Sequence, residues 1–350
     1  MTAVHVRILH LDASAGAGPL TAMVAAARRD IADHHAAAFA SAGAGSVQVI
    51  AGQPDDVPFG ARLERLVADL EPPDGLVILG SGAVPLLTVA DRRRFLAAAG
   101  SGERIALANN RYSADIVAIG RARDGLRDLP TDLATDNALP RWLAEHAAYD
   151  VDDVRGRWRL GVDIDSPLDL VLLGGRFARS VPAPQRDRVD GRLAAVRNVV
   201  ADPRAEVIVS GRTSPATLID LERRGAARTR ALIEERGLRT SVSGQRPPAS
   251  VLGALLERDG PKALGAHLAR LGEAAVIDSR VLLAHRLGAD ERAWPSTEDR
   301  FASDLLLHGW IADPWLAALT ASALEAPIPV LLGGHTLVGP GLRLALGERR

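Results

Sequence analysis

Cysteine is absent from the 350-residue sequence, which excludes disulfides, cysteine-ligated zinc, iron–sulfur clusters and thiol catalysis. Lysine occurs once, at Lys262, among 42 basic residues. Schiff-base chemistry is therefore nearly excluded, because arginine stays protonated. The sequence also contains no Gly-Lys-Ser or Gly-Lys-Thr, so the Walker A phosphate loop is missing.

Aromatic residues are also scarce, and positive and negative charges nearly balance. Phe, Trp and Tyr make up 3% of the chain, and the net charge is −1, so stacking platforms and an electrostatic footprint for nucleic acid are both lacking. No apolar run approaches the roughly 20 residues of a membrane helix. The N-terminus also lacks the pattern of a signal peptide. We therefore expect no nucleic-acid partner, no membrane span and a cytoplasmic location.

Strand-like and helix-like segments alternate in the first half of the chain. The alternation predicts an α/β fold with a mainly parallel, Rossmann-like sheet and flanking helices. The predicted strands include His5–Leu11, Leu76–Leu79, Ile105–Ala108, Asp115–Ile119 and Arg159–Val162.

The second half is predicted to be a helix-rich α/β region. Its longest predicted helix is Pro215–Gly237, and Glu206–Ser210 and Ala275–Asp278 are predicted strands. The chain length favours about two domains. We place them at residues 1–175 and 176–350.

Two carboxylates follow the last predicted strand of the first half. Asp163 and Asp165 are two residues apart, so on an extended strand end they face the same side. Paired carboxylates suit Mg²⁺, which prefers oxygen ligands. Ser166 and Pro167 fit the N-cap and first position of a helix, so the alternative is a capped strand-to-helix turn with solvated acids.

A polar run follows the predicted strand Ile105–Ala108. The amides of Asn109 and Asn110 are suited to a base edge or a sugar, and Arg111 to a carboxylate or phosphate. In open α/β sheets ligands bind beyond the carboxyl ends of strands, where this run is expected. An ordinary turn is an equally good interpretation, because Asn-Asn is common in turns.

Three segments together resemble a known family. The stretch D-I-D-S-P-L-D-L from Asp163 is similar to the D-x-D-T-P-x-D-L ending of the MobA-like and CofC-like nucleotidyltransferases, which have a GT-A type fold. The stretch G-S-G-A-V-P-L-L-T from Gly80 resembles their G-S-D-x-P-L-L-T segment, and T-D-N-A-L from Thr135 resembles G-T-N-A-L. The resemblance covers roughly residues 1–173.

The resemblance implies Mg²⁺-dependent transfer of a nucleotidyl group from a nucleoside triphosphate to a small phosphorylated or hydroxylated acceptor. Asp163 and Asp165 would hold the metal and serve catalysis. The residues that would contact the nucleotide are Ser81, Gly82, Asn109, Asn110, Arg111 and Asn137.

The sequence departs from the family at two places. Ala83 stands where the family has a metal-binding aspartate, and a methyl group cannot ligate Mg²⁺. The family's lysine-bearing first loop is also missing, although Arg28 or Arg29 could supply the positive charge. A catalytically silent nucleotide-binding or assembly module is therefore an alternative. Another is an enzyme whose site lies in the second half, around Asp278, Asp304 and His335.

Overall fold

A computed structural model describes residues 2–133, 138–235 and 247–348. The chain divides into two compact units, one of residues 1–16 with 25–164 and the other of residues 17–24 with 165–350. The division at 164/165 precedes the boundary that the sequence suggested near residue 175.

The first unit is built on a six-stranded sheet with the order β2-β1-β3-β5-β4-β6. All neighbouring strands are parallel except β5, which is antiparallel to both β3 and β4. The predicted α/β fold with a mainly parallel sheet is thus confirmed. The strands are β1 (Val4–Leu11), β2 (Ser46–Gly52), β3 (Gly75–Gly80), β4 (Ile105–Ala108), β5 (Ile116–Ile119) and β6 (Asp150–Asp153).

Helices cover both faces of this sheet, which explains the unbroken apolar run of its central strand β3. Val77 and Leu79 face one core cluster, and Leu76 and Ile78 face another on the opposite side. The helices are α1 (Pro19–Ser41), α2 (Phe59–Val67), α3 (Val89–Ala99), α4 (Ala122–Gly125) and α5 (Leu139–His146). The start of α1, up to Val24, is grouped with the second unit.

The predicted strand Arg159–Val162 is wrong. Residues Trp158–Gly161 form a 3₁₀ helix, and the preceding segment β6 is the strand that pairs with β4. Strand β6 lies at the edge of the sheet and carries three aspartates in the sequence D-V-D-D. An edge strand tolerates such charge because only one side must pair, so its sequence lacks the apolar pattern of a central strand.

The second unit contains a four-stranded parallel sheet with the order β10-β9-β7-β8. Its strands are β7 (Glu206–Gly211), β8 (Arg228–Ile233), β9 (Ala274–Asp278) and β10 (Val330–Gly333). Its longer helices are α6 (Pro167–Leu173), α8 (Ala183–Val200), α9 (Pro215–Arg224), α10 (Val251–Asp259), α11 (Leu264–Ala269), α12 (Ser279–Leu287), α13 (Thr297–Asp304) and α14 (Pro314–Glu325). Single turns form α7 (Gly175–Ala178), α15 (His335–Val338) and α16 (Gly341–Ala345).

The predicted helix Pro215–Gly237 is too long. Helix α9 begins as expected, with the Ser214 hydroxyl accepting a hydrogen bond from Thr217 N, but it ends before Gly225. The chain then forms the edge strand β8. Across the part of the chain that the structure describes, no helix combines the length and apolarity needed to cross a membrane.

Candidate functional site

A cavity of about 410 Å³ opens at one edge of the first sheet. Its walls include the last residues of β1, β2 and β3 together with Asp115, which precedes the reversed strand β5. The edge where parallel strands end is the usual ligand position in open α/β sheets. The polar or charged residues of the lining are His10, Arg28, Arg62, Ser81, Asp115 and Asp163.

Two segments that lie far apart in sequence meet at this cavity. Ala83 and Asp163 form an isolated antiparallel bridge, and Ile164 N donates to Gly82 O at 3.1 Å. Ser81, Gly82 and Asp163 all line the cavity. The structure therefore brings together three of the site residues that the sequence suggested.

The turn after β3 is tightly packed. A side chain on Gly82 would place its Cβ 3.0 Å from both Arg28 Nε and Ile164 O, so these neighbours would have to move by a few tenths of an ångström to admit it. Arg28 Nε itself donates to Ile164 O at 2.6 Å. Arg28 lines the cavity and brings the positive charge that the sequence placed at Arg28 or Arg29.

Backbone strain follows directly in this turn. Val84 has φ of 44° and is fully buried. A β-branched residue rarely adopts positive φ, and such strain, of order 1–3 kcal/mol, is concentrated at functional sites. Ala83 beside it is 3% exposed, and its carbonyl accepts from His35 Nε2 at 3.0 Å.

Asn109 does not lie in the lining of the cavity. Its Nδ2 donates to Asp115 Oδ2 at 2.7 Å and to Leu160 O at 2.8 Å. Its Oδ1 accepts from Asp115 N and Ile116 N at 2.8 and 3.2 Å. Because both ends of the amide are engaged inside the protein, Asn109 closes the β4–β5 turn in this structure instead of presenting its amide to a ligand.

Asn110 and Arg111 also lie outside the lining of the cavity. The Asn110 side-chain oxygen accepts from Tyr112 N at 3.0 Å, which is a local Asx turn. Asn109 and Asn110 thus take part in the turn in this structure, and a binding role for this run stays a prediction. Asn137, which the family resemblance also suggested, lies outside the described residues.

The two predicted metal ligands belong to different units, Asp163 to the first and Asp165 to the second. Asp163 Oδ1 accepts from Ile164 N at 2.8 Å. Asp165 N donates to Asp169 Oδ2 at 2.9 Å, next to the capping box that Ser166 and Asp169 form at the start of α6. Within the described ranges no group of three or more His, Asp or Glu side chains is arranged to hold a metal ion.

One group of polar residues at the cavity was not predicted from the sequence. His10 Nδ1 lies 3.1 Å from Ser81 Oγ, and His10 Nε2 lies 3.3 Å from Asp12 Oδ1. Burial lowers the pKa of His10 below 6.5, helped by the charges of Arg28 and Arg29 and opposed by Asp12. The only hint in the sequence is a histidine near the end of a strand.

The second unit gathers a polar network at the ends of β7, β9 and β10. Arg212 Nε donates to Asp278 Oδ2 at 2.6 Å, and Arg280 forms a two-point ion pair with Asp304. His335 Nδ1 lies 2.9 Å from Arg212 O. These charges neutralise one another, which is typical of a structural network, so an active site around Asp278, Asp304 and His335 stays a prediction.

Comparisons with protein-family models and with curated proteins found no match to this chain.

Proposed function

We propose that the protein is a divergent nucleotidyltransferase-like enzyme whose first unit binds a nucleoside triphosphate in the cavity. It would transfer the nucleotidyl group to a small phosphorylated or hydroxylated acceptor. The supporting observation is the meeting of Gly80–Ala83 with Asp163 at one cavity wall. These are two of the three segments that resemble the nucleotidyltransferase motifs, and they meet at the sheet edge where ligands bind.

In this proposal the first unit binds Mg²⁺ through few protein ligands. Asp163 lines the cavity and would hold the ion, since Mg²⁺ typically combines one or two carboxylates with water and substrate phosphates. The ion would neutralise phosphate charge, which is a main requirement of phosphoryl-type transfer. Arg28 contributes a further positive charge on the same wall. Asp165, the second ligand that the resemblance implies, belongs to the second unit.

A silent binding module is the alternative, and one observation favours it. Ala83 belongs to a hydrophobic core cluster of the first unit and is 3% exposed. A packed methyl group at this position removes a carboxylate from the proposed metal site. The module would bind a nucleotide without transferring any part of it.

Calorimetry with a panel of nucleoside triphosphates, with and without Mg²⁺, tests the proposal. We expect Asp163→Asn to weaken Mg²⁺-dependent binding by about tenfold or more, since it removes a charged ligand. Asp128→Asn is the matched control, because Asp128 is exposed and lies outside the lining of the cavity. Full Mg²⁺-dependent affinity in Asp163→Asn would remove the metal role.

Ala83→Asp tests the same site in the opposite direction. Residues paired across a bridge have Cβ atoms about 4.5–5.5 Å apart, so the new carboxylate and Asp163 could share one ion. We expect tighter Mg²⁺–nucleotide binding and lower stability without metal, because two close carboxylates repel each other. Ala83→Asn separates this charge effect from the effect of size. If both variants only destabilise the protein, the aligned position is a packing site.

A further inference from the structure

Ser81, His10 and Asp12 form a connected series at the wall of the cavity. Ser81 and His10 line it and are 5% and 3% exposed, whereas the Asp12 side chain is 47% exposed. An ionised carboxylate can only accept, so Asp12 orients the imidazole with the proton on Nε2. His10 Nδ1 then accepts from the Ser81 hydroxyl at 3.1 Å.

We propose that Ser81 is a nucleophile, activated by His10 as general base, that attacks the phosphorus of a phosphoester or phosphoanhydride held in the cavity. Asp12 acts through His10 and is a positioning residue. A hydroxyl nucleophile, a base within hydrogen-bond reach and a third group that orients the base are the parts such catalysis requires. The phosphorus ligand rests on the proposed function, whereas the activated serine does not.

The reaction has two halves, the formation and the breakdown of the bond between Ser81 Oγ and phosphorus. Ser81 Oγ forms a bond to phosphorus while the bond from phosphorus to the leaving oxygen breaks, and that oxygen keeps the electron pair. The hydroxyl proton moves to His10 Nδ1 and then to the leaving group. In the second half an acceptor hydroxyl attacks the phosphorus, its proton passes to His10, and Ser81 Oγ departs and recovers a proton.

The surroundings of His10 suit a base at neutral pH. The charged groups that act on it are Asp12, which follows β1, and Arg28 and Arg29 of α1. Burial and the two arginines favour the neutral imidazole, which is the form that accepts a proton. Arg28 also lines the cavity, where its charge would stabilise a phosphoryl group during attack.

A fluorophosphonate probe tests the nucleophile without any nucleotide. Its phosphorus bonds to an activated serine oxygen and loses fluoride, and peptide mapping by mass spectrometry locates the product. We expect labelling at Ser81, no label there in Ser81→Ala, and none at Ser41, an exposed serine whose hydroxyl donates to Ala37 O. General-base catalysis contributes roughly 100-fold or more, so His10→Gln should slow labelling by about that factor.

Asp12→Asn separates positioning from folding, since Asp12 is half-exposed. The labelling rate of the wild type should rise with pH through the lowered pKa of His10 and stay level above it. Asp12 opposes that lowering, so the variant should have its inflection at lower pH and a lower plateau, with an unchanged circular dichroism spectrum.

Two results would overturn the nucleophile: labelling of Ser81 no faster than Ser41, or identical pH profiles for wild type and Asp12→Asn. Nucleotide calorimetry on the wild type keeps the two proposals apart. Nucleotide binding beside an inert Ser81 removes the nucleophile and leaves the proposed function. A reactive Ser81 without any nucleotide binding upholds the activated serine and removes the nucleotide proposal.

Discussion

Asp169 lies enclosed at the first turn of α6 in the second unit. Its Oδ2 accepts from Asp165 N, Ser166 N and Ser166 Oγ. Burial raises the pKa of Asp169 to about 7, and the charges of Asp165 and Asp304 add to the shift. A carboxyl group with a raised pKa favours folding while it is protonated, and this contribution is lost as pH rises.

Asp169→Asn imitates the protonated acid at every pH. The free energy of unfolding of the variant, relative to wild type, should therefore increase between the ordinary value of 3.8 and about 7. One proton gives a limiting slope of about 1.4 kcal/mol per pH unit. Urea denaturation at several pH values measures the difference. Asp190→Asn, at an exposed position of α8, should show none, and parallel curves for wild type and Asp169→Asn would refute the shift.

The hydrogen bonds of Asn109 could not be predicted from the sequence. Its position after a strand was predicted, but the sequence does not reveal that Asp115, Leu160 and Ile116 use all of its hydrogen-bonding groups. His10 shows the converse: Asp12 is two residues away in the sequence, but Ser81 reaches His10 only through the pairing of β1 with β3. Polar partners across a sheet edge depend on register, which a local pattern does not contain.

Helix α3 begins where the turn of the cavity wall ends, and its N-cap fixes that point. Thr88 and Asp91 form a capping box, and Arg157 donates to the Asp91 carboxylate. Although burial opposes its charge, the hydrogen bonds from Thr88 and Arg157 hold the pKa of Asp91 below 3.8. The two members of this capping box are three residues apart, so such a cap depends only on neighbours within one turn.

Thr88→Ala removes the hydroxyl that caps α3. We expect the free energy of unfolding to fall by about 1 kcal/mol, in the usual range of 0.5–2 for a lost N-cap. Thr88→Ser keeps the hydroxyl and should recover most of the difference. Urea denaturation followed by tryptophan fluorescence measures both variants, and equal losses in the two would show that the Thr88 methyl group, not the cap, matters.

Apolar strands and charged strands differ in how well the sequence predicts them. Strands β3 and β9 were predicted nearly to their ends, because burial on both faces gives continuous apolar runs. The edge strands β6 and β8 were missed. Strand β8 has four exposed residues among its six, and edge strands often carry charge that blocks further pairing.

The second unit is assembled from two stretches far apart in sequence, residues 17–24 and 165–350. The Glu298 carboxylate accepts from Leu20 N, Thr21 N and Thr21 Oγ, each at 2.9 Å. Gly18 leaves space for this carboxylate, since a Cβ there would lie 2.3 Å from Glu298 Cδ. A boundary drawn along the chain, as in the sequence analysis, has no means of finding such a returning segment.

Glu298→Ala tests this attachment. Hydrogen bonds to charged groups contribute about 1.5–3 kcal/mol, and the negative charge faces backbone amides at the start of α1, so we expect a loss of about 2–3 kcal/mol. Glu325→Ala, at the exposed end of α14, should change stability by less than about 0.5 kcal/mol. Thermal denaturation compares the two. Equal melting temperatures would mean that the second unit does not depend on this contact.

The antiparallel direction of β5 affects how the ligand preference of such a cavity can change. Strands β4 and β5 form a hairpin, and Asn109 donates a hydrogen bond to Asp115 across the two ends of its loop. Ala114 and Asp115 line the cavity. The loop of residues 110–113, beyond that hydrogen bond, can become longer or shorter while both strands keep their register, because surface loops tolerate insertions. New ligand contacts can therefore evolve by changes in loop length, independently of the turn that carries Ser81.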